Sequence, residues 1–485
     1  MCPVGTQSIW TIWKTSTRLA DGREIVYFDE APGLGRDQLR DTRPLPPRMP
    51  GPQPPRGGPE WGIRWDRLAG EWVVIAAARQ DRTFLPPADQ CPLDPSAPGR
   101  PTEIPADSYD VVVFENRFPS LAEPLGRCEV VCFTPDHDAS FAALSPRRVR
   151  TVLEAWVDRT QALGALPETR QVYCFENRGE EIGVTLHHPH GQIYAFPFVG
   201  PKLAQMVTQA REYAAGNDGA NLFDDMIAAE VAAGTRVVTR NEHWVVFVPE
   251  AARWPYEVRI FPTVRVPDLP VLSPATREAF GPLYLDVLRR FDALFDRPAP
   301  YIAAWHQAPV GDDGARSRFA APRLAQMVTQ AASYARSHDG GNLFDDLVAG
   351  EVAADVRVVT RNSHWVAFVP EAARWPYEVR IFPVARVPDL PALGSDARDA
   401  FGPLYLDVLR RFDALFGRPA PYIAAWHQAP VGSAEARDRF AAHLQVLSVR
   451  RAAGKLKYLA GTESGMGVWV NDIVPEQAAQ RLREA

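Results

Sequence analysis

The sequence predicts an α+β protein built on antiparallel sheets, and three observations carry that prediction. Between residues 61 and 200, five apolar runs rich in Val, Phe and Tyr are separated by turn-forming stretches. Each run is too short for a core helix but right for a strand. One segment in their midst has clear helical periodicity, and beyond residue 200 a pattern of helix plus strand pairs occurs twice. Sheets with helices laid on one side form an α+β layer.

Residues 1–60 read as an N-terminal arm and linker: a short polar start, then a Pro/Gly-rich passage over 43–59. The next domain, 61–200, has strands expected at 71–76, 109–114, 129–133, 171–175 and 192–198. Its helix is announced by Ser145 as N-cap and Pro146 in the first turn. Val149, Val152, Leu153, Trp156 and Val157 then trace one face.

Residues 201–321 align without gaps onto 322–442 at a constant offset of 121, and 27 of the 121 pairs differ. Natural repeat arrays have shorter units and drift further, so this is an in-frame duplication of part of a domain. Each copy carries a helix with a periodic apolar face, Phe280, Leu283, Tyr284, Val287, Leu288 and Phe291 in the first. Each also has strand pairs over 237–249 and 256–262 or their counterparts. Only the second copy runs on into the apolar run from His443 and the tail to Ala485. We therefore expect 201–321 to be an incomplete domain and 322–485 a complete one. Loop-closure entropy barely separates a docked first copy from a docked second copy. Continuity with the terminal strands favours the second, leaving the first as an inserted passenger that exposes sheet edge and apolar surface.

Composition excludes several classes. A net charge of −6 without a basic block argues against nucleic acid as the partner. No apolar run approaches a membrane span, and the first thirty residues lack a signal-peptide core. The 49 Arg against 4 Lys, with 46 Pro, reflect genomic drift. Five scattered cysteines, odd in number, suit a reduced cytoplasmic protein. Cys132 and Cys174 fall inside apolar runs as buried thiols.

Chemistry concentrates in His187-His188-Pro189-His190-Gly191-Gln192, which lies between two strand-like runs. An imidazole can attack phosphorus and later leave, because a phosphoramidate passes its group onward. A backbone opened by glycine admits a phosphate, and a Gln amide can hold its oxygens.

His188-Pro189-His190-Gly191-Gln192 resembles the active-site motif of the galactose-1-phosphate uridylyltransferase family, a branch of the histidine-triad superfamily. Other segments agree in order: Arg79-Gln80-Asp81-Arg82, Cys91-Pro92-Leu93, Phe114-Glu115-Asn116, Pro135-Asp136-His137, Phe175-Glu176-Asn177-Arg178-Gly179, Trp426-His427-Gln428 and Lys457-Tyr458-Leu459-Ala460-Gly461-Thr462-Glu463. The resemblance spans nearly the whole chain once one copy is removed. It implies two histidine-triad-like domains, each an antiparallel sheet with helices packed on it, plus the extra incomplete copy.

The resemblance also implies a ping-pong exchange of a uridylyl group between UDP-glucose and galactose 1-phosphate. His190 would be the nucleophile and Gln192 the holder of the transferred group. Asn177, Thr185 and Gly183 match phosphate-contacting positions. Asn116 matches a uridine-binding position, although Arg117 follows where some members have an acidic residue. Arg79 and Arg82 match a pair reaching the neighbouring subunit's phosphates, which implies a homodimer. Lys457, Tyr458 and Glu463 match hexose-binding positions. Read without the family, Arg79 and Arg82 are surface charges and Asn116 and Asn177 turn residues.

The family's zinc position maps onto Cys91, His137 and His188, with Asp94 where a second cysteine is usual. A mixed Cys/His/Asp set is an acceptable zinc site of lower affinity than one with two thiolates. A second, iron-type site is not expected. His427 and His443 match two ligands, but Gln445 stands at the third and Met206 or Met327 at the fourth. Two alternatives remain: a dinucleotide phosphorylase or adenylyltransferase of the same superfamily, and an inactive relative that only binds nucleotide sugars.

Overall fold

The computed structural model describes residues 11–45, 62–68, 70–76, 79, 85–123, 125–182, 184–294, 298–317, 338, 341–417, 419–429, 434–452, 455–459 and 461–485. The chain divides into two units. One comprises Met1–Pro50, Arg82–Arg323 and Ser464–Met466; the other comprises Gly51–Asp81, Leu324–Glu463 and Gly467–Ala485.

The first unit is built on a seven-stranded sheet in the order Trp13–Arg18, Glu24–Asp29, Val111–Glu115, Arg127–Cys132, His190–Phe196, Gln171–Arg178, Tyr301–Ala304. Every neighbouring pair is antiparallel. Its first two strands correct the expectation of an irregular arm. Asp21-Gly22 makes the turn, with Gly22 at φ 88°, and the run from Ile25 to Phe28 is buried against the sheet core. Helix Pro146–Gly164 starts where the sequence indicates: Ser145 Oγ accepts from the Arg148 amide at 3.1 Å, and Pro146 fills the first turn. It buries Val149, Val152, Leu153 and Trp156 on one face of the sheet, where Trp156 packs edge-on to Phe133 and Trp305.

The first repeat copy belongs to this unit, which corrects the passenger reading. Its helix Pro274–Ala293 packs on Pro146–Gly164 within one continuous core. Gly281 makes that approach feasible, since a Cβ there would lie 3.1 Å from the Pro146 carbonyl oxygen. Its strand Tyr301–Ala304 pairs with Gln171–Arg178 in the register Tyr301↔Arg178 to Ala304↔Phe175. Docking thus uses a helix and a strand that both precede the missing segment, so the copy needs no terminal strands to dock. The remaining strands, Val237–Arg240, Trp244–Phe247 and Arg259–Pro262, form a separate three-stranded sheet with Arg259–Pro262 at its edge. Helices Pro201–Gly216 and Leu222–Ala233 precede it.

The second unit holds the second copy and the tail. A five-stranded sheet runs Val358–Arg361, Trp365–Phe368, Tyr377–Pro383, His443–Ser448, Ile423–His427, so the tail strand lies between two strands of the copy. Helices Leu343–Ala354, Ser395–Ala414 and Pro475–Glu484 accompany it. Residues 63–75, expected in the N-terminal domain, instead join this unit. Ile63–Asp66 and Glu71–Ile75 form a hairpin, and the tail strand Trp469–Asn471 pairs parallel to the latter. Ion pairs anchor the hairpin: buried Arg380 meets buried Asp66 at 2.6 Å, and buried Arg64 meets the partly exposed Glu476 at 3.1 Å.

Among the described residues no helix is long and apolar enough to cross a membrane. Cys91, Cys128, Cys132 and Cys174 are all buried free thiols.

Candidate active site

The motif begins the strand His190–Phe196, which lies between Arg127–Cys132 and Gln171–Arg178. Side chains two apart share a face of a strand, so His190, Gln192 and Tyr194 project together. Gly191 points the other way into a space without room for any side chain. A Cβ there would come within 2.8 Å of Phe133 Cζ and 2.9 Å of the Phe175 carbonyl. That explains a glycine between His190 and Gln192.

His190 is oriented by its own backbone. Its Nδ1 lies 2.7 Å from the His188 carbonyl, which can only accept, so the proton sits on Nδ1 and Nε2 carries the free lone pair. Burial lowers the imidazole pKa to about 4, outweighing that hydrogen bond, and keeps the ring neutral at physiological pH. A neutral ring with a bare Nε2 is a competent nucleophile. Gln192 is fixed in turn: its Oε1 accepts from the Tyr194 hydroxyl at 2.9 Å, leaving the amide N–H groups to donate elsewhere. On the adjacent strand, Asn177 Oδ1 is buried and has no hydrogen-bond partner among the described residues.

A second cluster adjoins the motif through His188. Ligand atoms of Cys91, Asp94, His137 and His188 lie within 4.8 Å of one another. Asp94 Oδ1 is 2.9 Å from His137 Nδ1 and 3.0 Å from His188 Nδ1, while Oδ2 meets Arg100 at 3.1 Å. Burial opposes ionisation of Asp94, but the two imidazoles outweigh it and hold the carboxyl below its usual range. Burial pushes the Cys91 thiol up to about 11. His188 Nε2 is 2.8 Å from the Thr134 carbonyl and 2.9 Å from the Tyr109 hydroxyl. The carbonyl places the proton on Nε2, so a neutral His188 turns a lone pair toward the Asp94 carboxylate. Two acceptors face to face call for a cation or a proton between them. One thiol, one carboxylate and two imidazoles, with the far nitrogen of one imidazole tied to a carbonyl, fit zinc.

The remaining candidates are distributed as follows. Asn116 Oδ1 accepts from the Phe118 amide at 2.8 Å, the geometry of a turn residue, and Arg117 is held by Glu103 at 2.7 Å. The Thr185 carbonyl accepts from the Leu85 amide at 2.9 Å. Arg79, Lys457, Tyr458 and Glu463 belong to the second unit, where Lys457 pairs with Glu463 at 3.0 Å and Tyr458 is exposed. Arg82 and Gly183 lie outside the described residues, as does Met327. His427 Nε2 meets Gln445 Oε1 at 3.2 Å, and Gln445 donates to Glu378 at 2.7 Å. Sequence reasoning missed Tyr109, Thr134 and Tyr194. Of these, Tyr194 carried a readable signal, lying two positions beyond Gln192 on the same strand face.

Comparison with known proteins accords with this geometry. The family described as galactose-1-phosphate uridyl transferase, N-terminal domain, matches residues 121–200. The corresponding C-terminal domain matches twice, over 206–328 and 327–485. A galactose-1-phosphate uridylyltransferase of Streptomyces lividans is 54% identical over 301 residues, covering 61% of this chain and 81% of the relative. The chain belongs to the galactose-1-phosphate uridylyltransferase family. Another uridylyltransferase of that name, from Thermotoga maritima, is 33% identical over 268 residues, covering 52% of this chain and 82% of its own. The one from Rattus norvegicus is 32% identical over 280 residues, covering 51% and 73%. The two matches to the uridylyltransferase C-terminal domain start 121 residues apart, the offset of the sequence repeat.

Proposed function

We propose that this chain transfers a uridylyl group between UDP-glucose and galactose 1-phosphate through a covalent intermediate on His190. The observation that carries the reading is the Nδ1–H of His190 donating to the His188 carbonyl, with Nε2 left bare on a neutral ring. Nε2 attacks the α-phosphorus of UDP-glucose, the P–N bond forms, and the P–O bond to glucose 1-phosphate breaks. A phosphate oxygen of galactose 1-phosphate then attacks the same phosphorus, breaking the P–N bond and yielding UDP-galactose. Gln192, its carbonyl engaged by Tyr194, donates to the phosphoryl oxygens as charge builds. Asn177 offers a further polar group beside it, with Thr185 and Asn116 assigned to phosphate and uridine by family resemblance.

Zinc held by Cys91, Asp94, His137 and His188 supplies a structural cross-link. The chain's own contribution is to fix His188, whose carbonyl in turn sets the tautomer of His190. Lys457, Tyr458 and Glu463 are assigned to the hexose, and Arg79 and Arg82 to a partner subunit's phosphates in a homodimer. Buried free thiols suit a reducing cytoplasm. Initial rates measured against both substrates test the scheme. Parallel double-reciprocal lines are expected, and intersecting lines would overturn the two-step exchange.

A further inference from the structure

The duplication gives the molecule two copies of one strand slot and a single strand of the tail to fill them. In the second copy, His443–Ser448 lies between Tyr377–Pro383 and Ile423–His427. Its registers run from Tyr377↔Ser448 to Ile381↔Leu444 and from Ile423↔Leu447 to His427↔His443. Both walls recur letter for letter in the first copy, as residues 256–262 and 302–306. There the strands Arg259–Pro262 and Tyr301–Ala304 stand in separate sheets, and among the described residues each has a strand partner on one side only. The aromatic residues that span the filled slot keep the same spacing in the first copy. Ring centroids of Trp365–Trp426, Trp365–Phe401 and Phe401–Trp426 are 6.1, 5.0 and 5.2 Å apart. Those of Trp244–Trp305, Trp244–Phe280 and Phe280–Trp305 are 6.1, 5.2 and 5.1 Å apart. The first copy therefore holds its walls one strand apart.

One sequence adopts two conformations according to whether the tail strand is beside it. The second copy's wall is extended from Tyr377 onward, whereas the first copy's begins only at Arg259. Tyr377 is 1% exposed, but Tyr256 is 54% exposed and sits at φ 61°, a left-handed conformation that tyrosine rarely adopts. Val379 and Ile381 are buried, and their counterparts Val258 and Ile260 are half-buried. His427 Nε2 meets Gln445 of the tail strand at 3.2 Å. Its counterpart His306 has a buried Nδ1 with no hydrogen-bond partner among the described residues. An open edge with apolar and polar groups of this kind is a template for a strand.

We propose that the tail strand His443–Ser448 exchanges between these two slots within one chain, so that the protein interconverts between two isomers. In one the strand completes the second copy, and in the other it joins Arg259–Pro262 to Tyr301–Ala304 and extends the motif-bearing sheet. Three observations fix the occupant. The walls are identical, so the register that buries Leu444 and Val446 in one copy is available unchanged in the other. The tail is also tethered to the first unit. Ser464–Met466 belong to that unit, where Lys202 donates to the Ser464 carbonyl, and fifteen residues separate Ser464 from Ser448. A tethered strand outcompetes the same strand from another chain, and the cost of closing the longer loop rises slowly with its length. Finally, the hairpin that carries Asp66 pairs with the tail at Trp469–Asn471, so the carboxylate that Arg380 holds can travel with the tail to Arg259.

Two double variants of the full chain test this by disulfide trapping with diamide, each bridge being located by mass spectrometry. Ala424 and Val446 are partners in the second copy, so Ala424→Cys with Val446→Cys should close at once within one chain. Ala303→Cys with Val446→Cys joins the tail strand to the first copy and should close more slowly, as the isomers interchange. In that trapped protein the amides at 256–258 should gain protection from hydrogen exchange, and those at 377–379 should lose it. Failure of the 303–446 bridge while the 424–446 bridge closes would overturn the proposal. So would a 303–446 bridge formed only between chains, or one that leaves 256–258 exchanging fast. Should neither bridge close, exchange on the unmodified chain decides. Two slowly interchanging populations at 377–379 are then expected, and a single population there would defeat the exchange.

Discussion

Glu176 lies on the strand beside the motif, and its carboxyl is the group that the docked first copy traps. It is buried, its Oε1 accepts from the Tyr301 hydroxyl at 2.7 Å, and its Oε2 has no hydrogen-bond partner among the described residues. Burial pushes the carboxyl from its ordinary 4.5 up to about 8, against weaker opposing effects of the Tyr301 bond and Arg178. The folded protein therefore keeps a proton that the unfolded chain has lost. Between pH 4.5 and 8 the unfolded state binds fewer protons, so stability falls as pH rises, then levels off above about pH 8. The slope is about 1.4 kcal/mol per pH unit, which accumulates to about 3 kcal/mol by pH 7. Glu176→Gln keeps an oxygen for Tyr301 but cannot ionise, so it lacks this loss. Urea unfolding of both proteins from pH 5 to 8.5, followed by the fluorescence of Trp156, Trp244 and Trp305 in that core, should show the variant gaining on the wild type as pH rises. Parallel stability curves would refute the argument that the first copy seals a carboxyl in the sheet.

Other outcomes follow from the same geometry. Tyr194→Phe removes the hydroxyl that fixes Gln192, and the loss of one hydrogen bond of about 1 kcal/mol should lower kcat/KM about fivefold, with the melting temperature falling by only a few degrees. Asp94→Cys supplies a second thiolate, so the variant should retain zinc through a chelator challenge that strips the wild type, and Asp94→Ala should retain less, as metal analysis will show. The duplication also provides an internal control: Arg380 is buried against Asp66, whereas its counterpart Arg259 is half-exposed and pairs only with Glu257 at 3.4 Å among the described contacts. Arg380→Met should cost about 3–5 kcal/mol of unfolding free energy, because it strands a buried carboxylate, while Arg259→Met should cost under about 1 kcal/mol.

The strands from 109 onward in the first half were legible because each alternates or runs apolar over a strand's length between turn residues. The helix was legible because Ser145-Pro146 announces it and its apolar positions keep one face. The opening hairpin escaped, although Asp21-Gly22 ahead of the continuous apolar run Ile25–Phe28 was its signal, because the Pro-rich passage after it outweighs that short run. The pairing of Glu71–Ile75 with Trp469–Asn471 left no local trace, since the two strands lie near opposite ends of the chain. The duplication was plain, yet its docking was misjudged: continuity of the chain is weaker than the fit of a helix whose Gly281 meets Pro146. At the site, the donors of the metal cluster could be named from their resemblance to a family. The carbonyl that sets the His190 tautomer could not, because a backbone atom has no letter of its own.

The most direct test of the central claim is to incubate the purified chain with UDP-glucose radiolabelled in the α-phosphate and look for label on the protein. Acid-labile, alkali-stable labelling that is absent in a folded His190→Gly variant is the expected result. Label persisting in that variant, or no label on the wild type while glucose 1-phosphate is released, would contradict a covalent uridylyl group on His190.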